Sequence, residues 1–81
     1  MALINGGMEM NYTIKCESAE DWGRGFYYLL KECQTLEQVD TLRMIHSVTW
    51  DSIQVDKSNI TDFLEEKIEE RRKEIRGEQD S

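Results

Sequence analysis

His46, Cys16 and Cys33 are the histidine and cysteine complement of this 81-residue sequence, and thus its first candidates for nucleophilic or acid–base chemistry. Pairing Cys33 with His46 would give a thiol and a base. A working dyad also needs a third group to orient the imidazole and donors to hold an oxyanion, and nothing in the spacing supplies either. The same three side chains fall short of the four ligands of a structural zinc site unless a second copy contributes. No D-x-D-x-D-G calcium loop occurs. Gly23-Arg24-Gly25 lacks both the length and the lysine of a phosphate-binding loop. The sequence therefore predicts no catalytic residue, no metal, no cofactor and no enzymatic activity.

Carboxylates are the abundant functional group, giving a formal net charge of −7. Glu17, Glu20 and Asp21 form one cluster, Glu32, Glu37 and Asp40 a second, and Asp51 and Asp56 flank a third segment. Acids at helix starts and turns suit the local backbone and keep a protein soluble. Together they also imitate the phosphates of a nucleic acid and steer a basic protein partner. Tyr27 and Tyr28 cannot both face inward beside Phe26, so at least one is expected at the surface, where tyrosine anchors interfaces. Glu17, Glu20, Asp21, Tyr27, Tyr28, Glu32, Glu37 and Asp40 are accordingly the candidate partner-binding residues. The net charge makes nucleic acid an unlikely ligand, because affinity for it comes from cations that neutralise phosphates. Arg71, Arg72, Lys73 and Arg76 are the contrary signal, and they supply the alternative of a weak nucleic-acid-binding module. Glu69, Glu70 and Glu74 lie among them and largely neutralise them.

Of the elements that must position these groups, the stretch from Ser58 to Gly77 is the best specified. Ser58 or Asn59 is a capping residue, with Asp62 as the acid of a capping box. Ile60, Phe63, Leu64, Ile68 and Ile75 fall on one helical stripe, and Gly77 is the expected stop. Acids fill the first half and bases the second, opposing the helix dipole at both ends. Beyond Ile68 the stripe thins to Ile75 alone, so the last two turns are expected to project from the body. Ile68 and Ile75 are then the candidate self-association residues, pairing copies of this helix. The plainer alternative is a solvated helix end with one exposed isoleucine.

Taken from its start, the chain offers Met1, Met8 and Met10 as initiation sites, and a turn at Asn5-Gly6-Gly7 that follows either a short strand at Ala2–Ile4 or a flexible leader. Met8, Met10, Tyr12, Ile14 and Cys16 alternate with polar residues, which predicts a strand with one buried face. Ser18 then caps a first helix carrying Trp22, Phe26, Leu29, Leu30 and Cys33, the most apolar face in the sequence. Gly23 and Gly25 each cost a helix about 1 kcal/mol relative to alanine, so a neighbour is expected to pack close against them. Thr35-x-x-Gln38 opens a second helix with Leu36, Val39, Leu42 and Ile45. His46–Trp50 and Ile53–Val55 are β-rich around Asp51-Ser52 and are expected to be short strands. The rival reading extends the second helix to Trp50.

These readings combine into an α+β fold: a small antiparallel sheet, a helix hairpin and a long amphipathic C-terminal helix. Residues 1–7 are a leader or strand, 8–77 one domain and 78–81 an acidic tail. No segment has the apolar length of a membrane span, no signal peptide is visible, and two cysteines make no disulfide framework, so a cytoplasmic protein is expected. The expected function is a small acidic non-enzymatic module or inhibitor that binds a basic protein partner through its acidic and aromatic surface, a basic nucleic-acid-handling protein being one candidate. Its size and acidity are in keeping with accessory proteins of phages and mobile elements. The other alternative is a structural homo-oligomer, a homodimer being the simplest, paired through the last helix.

Overall fold

Ser18 leaves an extended backbone (φ −150°, ψ 167°), and its hydroxyl accepts the Asp21 N–H at 3.1 Å. That cap opens α1 (Ala19–Glu32). The computed structural model describes residues 12–80, with side chains to residue 77. Thr35 caps α2 (Leu36–Ile45) in the same way through the Gln38 N–H at 3.1 Å, while the Gln38 side chain accepts the Gln34 N–H at 2.7 Å. These two sequence-derived helix starts are therefore present; at the second, the Gln38 side chain reaches the N–H of Gln34, one residue before the cap, where a capping box would take that of Thr35.

The segment expected to be strands is a third helix, α3 (Ser47–Asp56). His46 (φ −100°, ψ 19°) interrupts the helical path for a single residue. The β-branched residues tolerate the helix at a few tenths of a kcal/mol each. Trp50, fully buried, and Ile53, half-buried, share the inward face, and burying an indole outweighs those small preferences. Val48 and Val55 point outward.

Among the described residues there is no strand, which corrects the α+β expectation to an all-helical, four-helix fold. Ala2–Ile4 and residues 8–11 of the expected strand lie outside the described residues. Residues 12–15 keep the anticipated two faces, Tyr12 and Ile14 half-buried and Thr13 and Lys15 exposed, but no regular structure, and Cys16, expected on the buried face, is exposed. Their apolar face lies on a helix instead of joining a sheet. A Cβ built on Gly25 would come 2.7 Å from Ile14 Cγ2, so the glycine is the seat of that side chain. His46 Nε2 lies 2.6 Å from the Tyr12 carbonyl. A carbonyl only accepts, so His46 is the donor.

Only Lys57 separates α3 from α4 (Ser58–Asp80). The expected stop at Gly77 does not occur; the helix runs through it, and no described glycine has positive φ. Nor do the last turns project, for Ile75 is fully buried and Ile68 is 7% exposed. Two arginines hold that half down. Arg71 Nε and Nη2 donate to the Cys33 carbonyl at 3.1 and 2.5 Å, and Arg72 pairs with Asp40 at 2.7 Å. The pattern of apolar residues missed this because a sparse stripe can still be buried when charged neighbours bridge to the elements beneath.

The core joins Trp22, Phe26 and Leu30 of α1 and its C-cap Cys33, Val39 and Leu42 of α2, Trp50 of α3 and Leu64, Ile68 and Ile75 of α4. It is thin. Cα extents of 39 × 36 × 16 Å leave each helix a face in solvent. Among the described residues no helix is long and apolar enough to cross a membrane.

The two glycine environments separate by experiment. Gly25→Ala is expected to displace Ile14, so that cleavage after Lys15 by trypsin accelerates and thermal stability falls. Gly77→Ala is expected to raise stability by up to about 1 kcal/mol, since nothing lies within 4 Å of its added Cβ and alanine is the better helix former. Equal responses from both would contradict the close approach at Gly25.

Candidate protein-binding surface

α4 crosses α1 where α1 has no side chain. A Cβ on Gly23 would lie 3.0 Å from Ile60 Cγ2, so the glycine lets the helices approach and leaves a shallow floor between them. Tyr27 and Phe63 form one wall, their rings edge to face at 5.7 Å between centroids. Glu20, Arg24 and Asn59 complete a groove of about 490 Å³. Phe63 is 47% exposed, although the sequence stripe placed it in the core. Adjacent Phe63 and Leu64 cannot both face inward, and Leu64 occupies the core.

Charged side chains frame the groove. Lys57 reaches back from the α3–α4 junction to Glu20 at 2.9 Å, and this hydrogen bond holds the Glu20 carboxyl below its usual range. Arg24 pairs with Asp21 at 2.8 Å. The Lys31 ammonium sits 5.1 Å from the Tyr27 ring centre and that of Lys67 5.3 Å from the Phe63 ring centre. The ammonium groups thus shield parts of both rings while leaving the groove open.

Of the residues named from sequence, Glu20 and Tyr27 line this groove, and Asp21 borders it through Arg24. Tyr28 is exposed one position further round α1, and is the outward tyrosine. Asp40 is taken up by Arg72. Glu17, Glu32 and Glu37 are exposed and have no ion pair among the described residues. The acids therefore do not form one surface, and four of the six are separated from the groove.

Sequence reasoning missed Gly23, Arg24, Asn59, Ile60 and Phe63 as lining residues. The costly glycine inside α1 was the available signal, because it marked a close approach. It also missed that Asp62, Glu65, Glu66 and Glu69, at spacings of three, one and three along α4, are exposed and outside the ion pairs that occupy Glu70 and Glu74.

Chemistry has little support elsewhere. Cys16, not Cys33, lines a cavity of about 530 Å³ with His46, Tyr12, Trp22, Ile45 and Thr49. His46 spends its Nε2 proton on the Tyr12 carbonyl. The Cys33 thiol donates to the Leu29 carbonyl at 3.4 Å, and burial raises its pKa from 9.0 to about 11, the reverse of an activated nucleophile. No group of three or more potential metal ligands occurs among the described residues. The chain matches no family model, no curated protein and no solved structure.

The raised thiol has a consequence for stability. Between pH 9 and about 11 an unfolded chain loses the Cys33 proton that the folded chain retains, so unfolding becomes easier as pH rises through that window. Denaturant titrations are expected to show a steeper alkaline loss of stability for wild type than for Cys33→Ala. In the native protein at neutral pH a thiol reagent should label Cys16 first. Rapid labelling of both cysteines would contradict the inert, buried Cys33.

Proposed function

We propose that the protein is a non-enzymatic protein-binding module whose docking site is the α1–α4 groove. The observation that carries this reading is the exposed Phe63 ring, fixed against Tyr27 beside a glycine floor. That arrangement gives a preformed apolar recess of about 490 Å³, framed by charge. Aromatic side chains at the edge of a small recess are the usual energetic centres of protein interfaces. Rigid ones cost little entropy to order.

The net charge of −7 adds long-range selection. It speeds the arrival of a basic protein and slows that of nucleic acid. Within the basic cluster of α4, Arg71 and Arg72 are engaged with the Cys33 carbonyl and Asp40, which leaves the nucleic-acid alternative only Lys73 and Arg76 as exposed cations. Self-pairing through Ile68 and Ile75 has no accessible surface, because both are in the core.

Affinity capture from source-cell lysate with wild type, Phe63→Ala and the remote surface variant Arg76→Ala tests the reading. A protein retained by wild type and by Arg76→Ala, and weakened by about 2 kcal/mol (roughly 30-fold) with Phe63→Ala, is the expected result. Retention undiminished by Phe63→Ala would remove the groove as the docking site.

A further inference from the structure

The outer face of α3 has the chemistry that this groove accepts. Val48 and Val55 are 81% and 85% exposed, the most exposed large apolar side chains described. They lie seven residues apart, two helical turns, and so present two apolar knobs about 10 Å apart on one side. Asp51 and Asp56 flank them, and α3 contains no cation. Around the groove Arg24, Lys57 and Lys67 are paired with Asp21, Glu20 and Glu70, and Lys31, over the Tyr27 ring, adds a cation outside the ion pairs of the described residues, in a protein whose net charge is −7.

We propose that a second copy of this chain occupies the α1–α4 groove, entering with the Val48–Val55 face of α3. The proposal rests on the groove reading above and names one occupant for it. Charge decides against two α3 faces meeting each other, since that contact would set Asp51 and Asp56 against their own copies with no cation between them. Against the groove, the same aspartates approach Arg24, Lys31 or Lys67 while a valine enters beside Phe63. Donor and acceptor are different residues, and every copy carries both. The contact therefore closes as a reciprocal pair or continues from copy to copy, and the size of the assembled species reports which. Self-association also covers Phe63, so it competes with any other protein for the same recess.

Sedimentation velocity at about 0.15 M salt, where screening over about 8 Å suppresses the repulsion between like-charged copies, reads the contact directly. Four chains are compared, beginning with wild type, the donor variant Val55→Asp and the acceptor variant Phe63→Glu. Lys67→Glu is a second acceptor variant, and far-UV circular dichroism checks each fold. Wild type is expected to associate with rising concentration, and each variant alone to associate at least about tenfold more weakly. An equimolar mixture of Val55→Asp and Phe63→Glu should regain a one-to-one complex, because each supplies the surface the other lacks. A wild type that remains monomeric up to millimolar concentration, or a mixture that stays monomeric, overturns the self-contact. The groove reading then stands or falls separately on whether Phe63→Ala loses the captured partner. Association abolished by Val55→Asp but untouched by both acceptor variants would overturn the groove as its site.

Discussion

Four aromatic rings hold the molecule's separate pieces in one place. Trp22 and Phe26 of α1 are 5.3 Å apart, Trp50 of α3 meets both at 6.1 and 5.5 Å, and His46 between α2 and α3 meets both at 6.2 and 6.1 Å. Most of these contacts are edge to face, the arrangement that ring quadrupoles favour. From the cluster, His46 extends one hydrogen bond to Tyr12 and so ties down the segment before α1. Arg43 lies over the Trp50 ring, 3.9 Å from its centre, and closes the cluster from the α2 side. The indole N–H groups of Trp22 and Trp50 are buried without an acceptor among the described residues. Each such loss costs about 1–3 kcal/mol, so apolar burial and ring contacts must exceed it.

With the cluster as the hub, the other contacts set the groove. α4 has to cross α1 from the α3–α4 junction to the α1–α2 corner. At one end it passes over Gly23, where the missing side chain admits Ile60. At the other, Arg71 gives two hydrogen bonds to the Cys33 carbonyl, one of the acceptors that the end of α1 leaves unused. Between these anchor points Phe63 and Lys67 face Tyr27 and Lys31 and cannot reach the core. The recess is thus a by-product of how two helices of a thin fold are pinned at both ends. The same thinness leaves Val48 and Val55 outside.

Among the local signals the helix caps held and the Gly77 stop did not, and periodicity also failed in places. Ser18 and Thr35 sit where their caps were expected, and the apolar face of α1 is the centre of the core. Gly23 and Gly25 do mark close approaches, each to a different neighbour. The strand expectation failed between His46 and Val55 because alternation over so short a run also places Trp50 and Ile53 on one helical side, and tertiary burial of Trp50 decided between the two. Ile75 was misjudged for a related reason: its partners come from distant sequence, and Arg71 and Arg72 look like solvated charges until Cys33 and Asp40 are seen beneath them. For the candidate site, Glu20 and Tyr27 were legible as polar and aromatic surface. Phe63 was not, because which of two adjacent apolar residues faces inward depends on the crossing of α4 over α1.

The account's central claim is that Ser47–Asp56 is a helix that delivers Trp50 to α1. Nuclear magnetic resonance on the full chain measures this most directly. Helical Cα shifts through residues 47–56, together with nuclear Overhauser contacts from the Trp50 ring to Phe26 and Trp22, are the predicted result. Strand-type shifts in that segment, or a Trp50 ring without contacts to α1, would contradict the helical fold and, with it, the groove and the exposed α3 face.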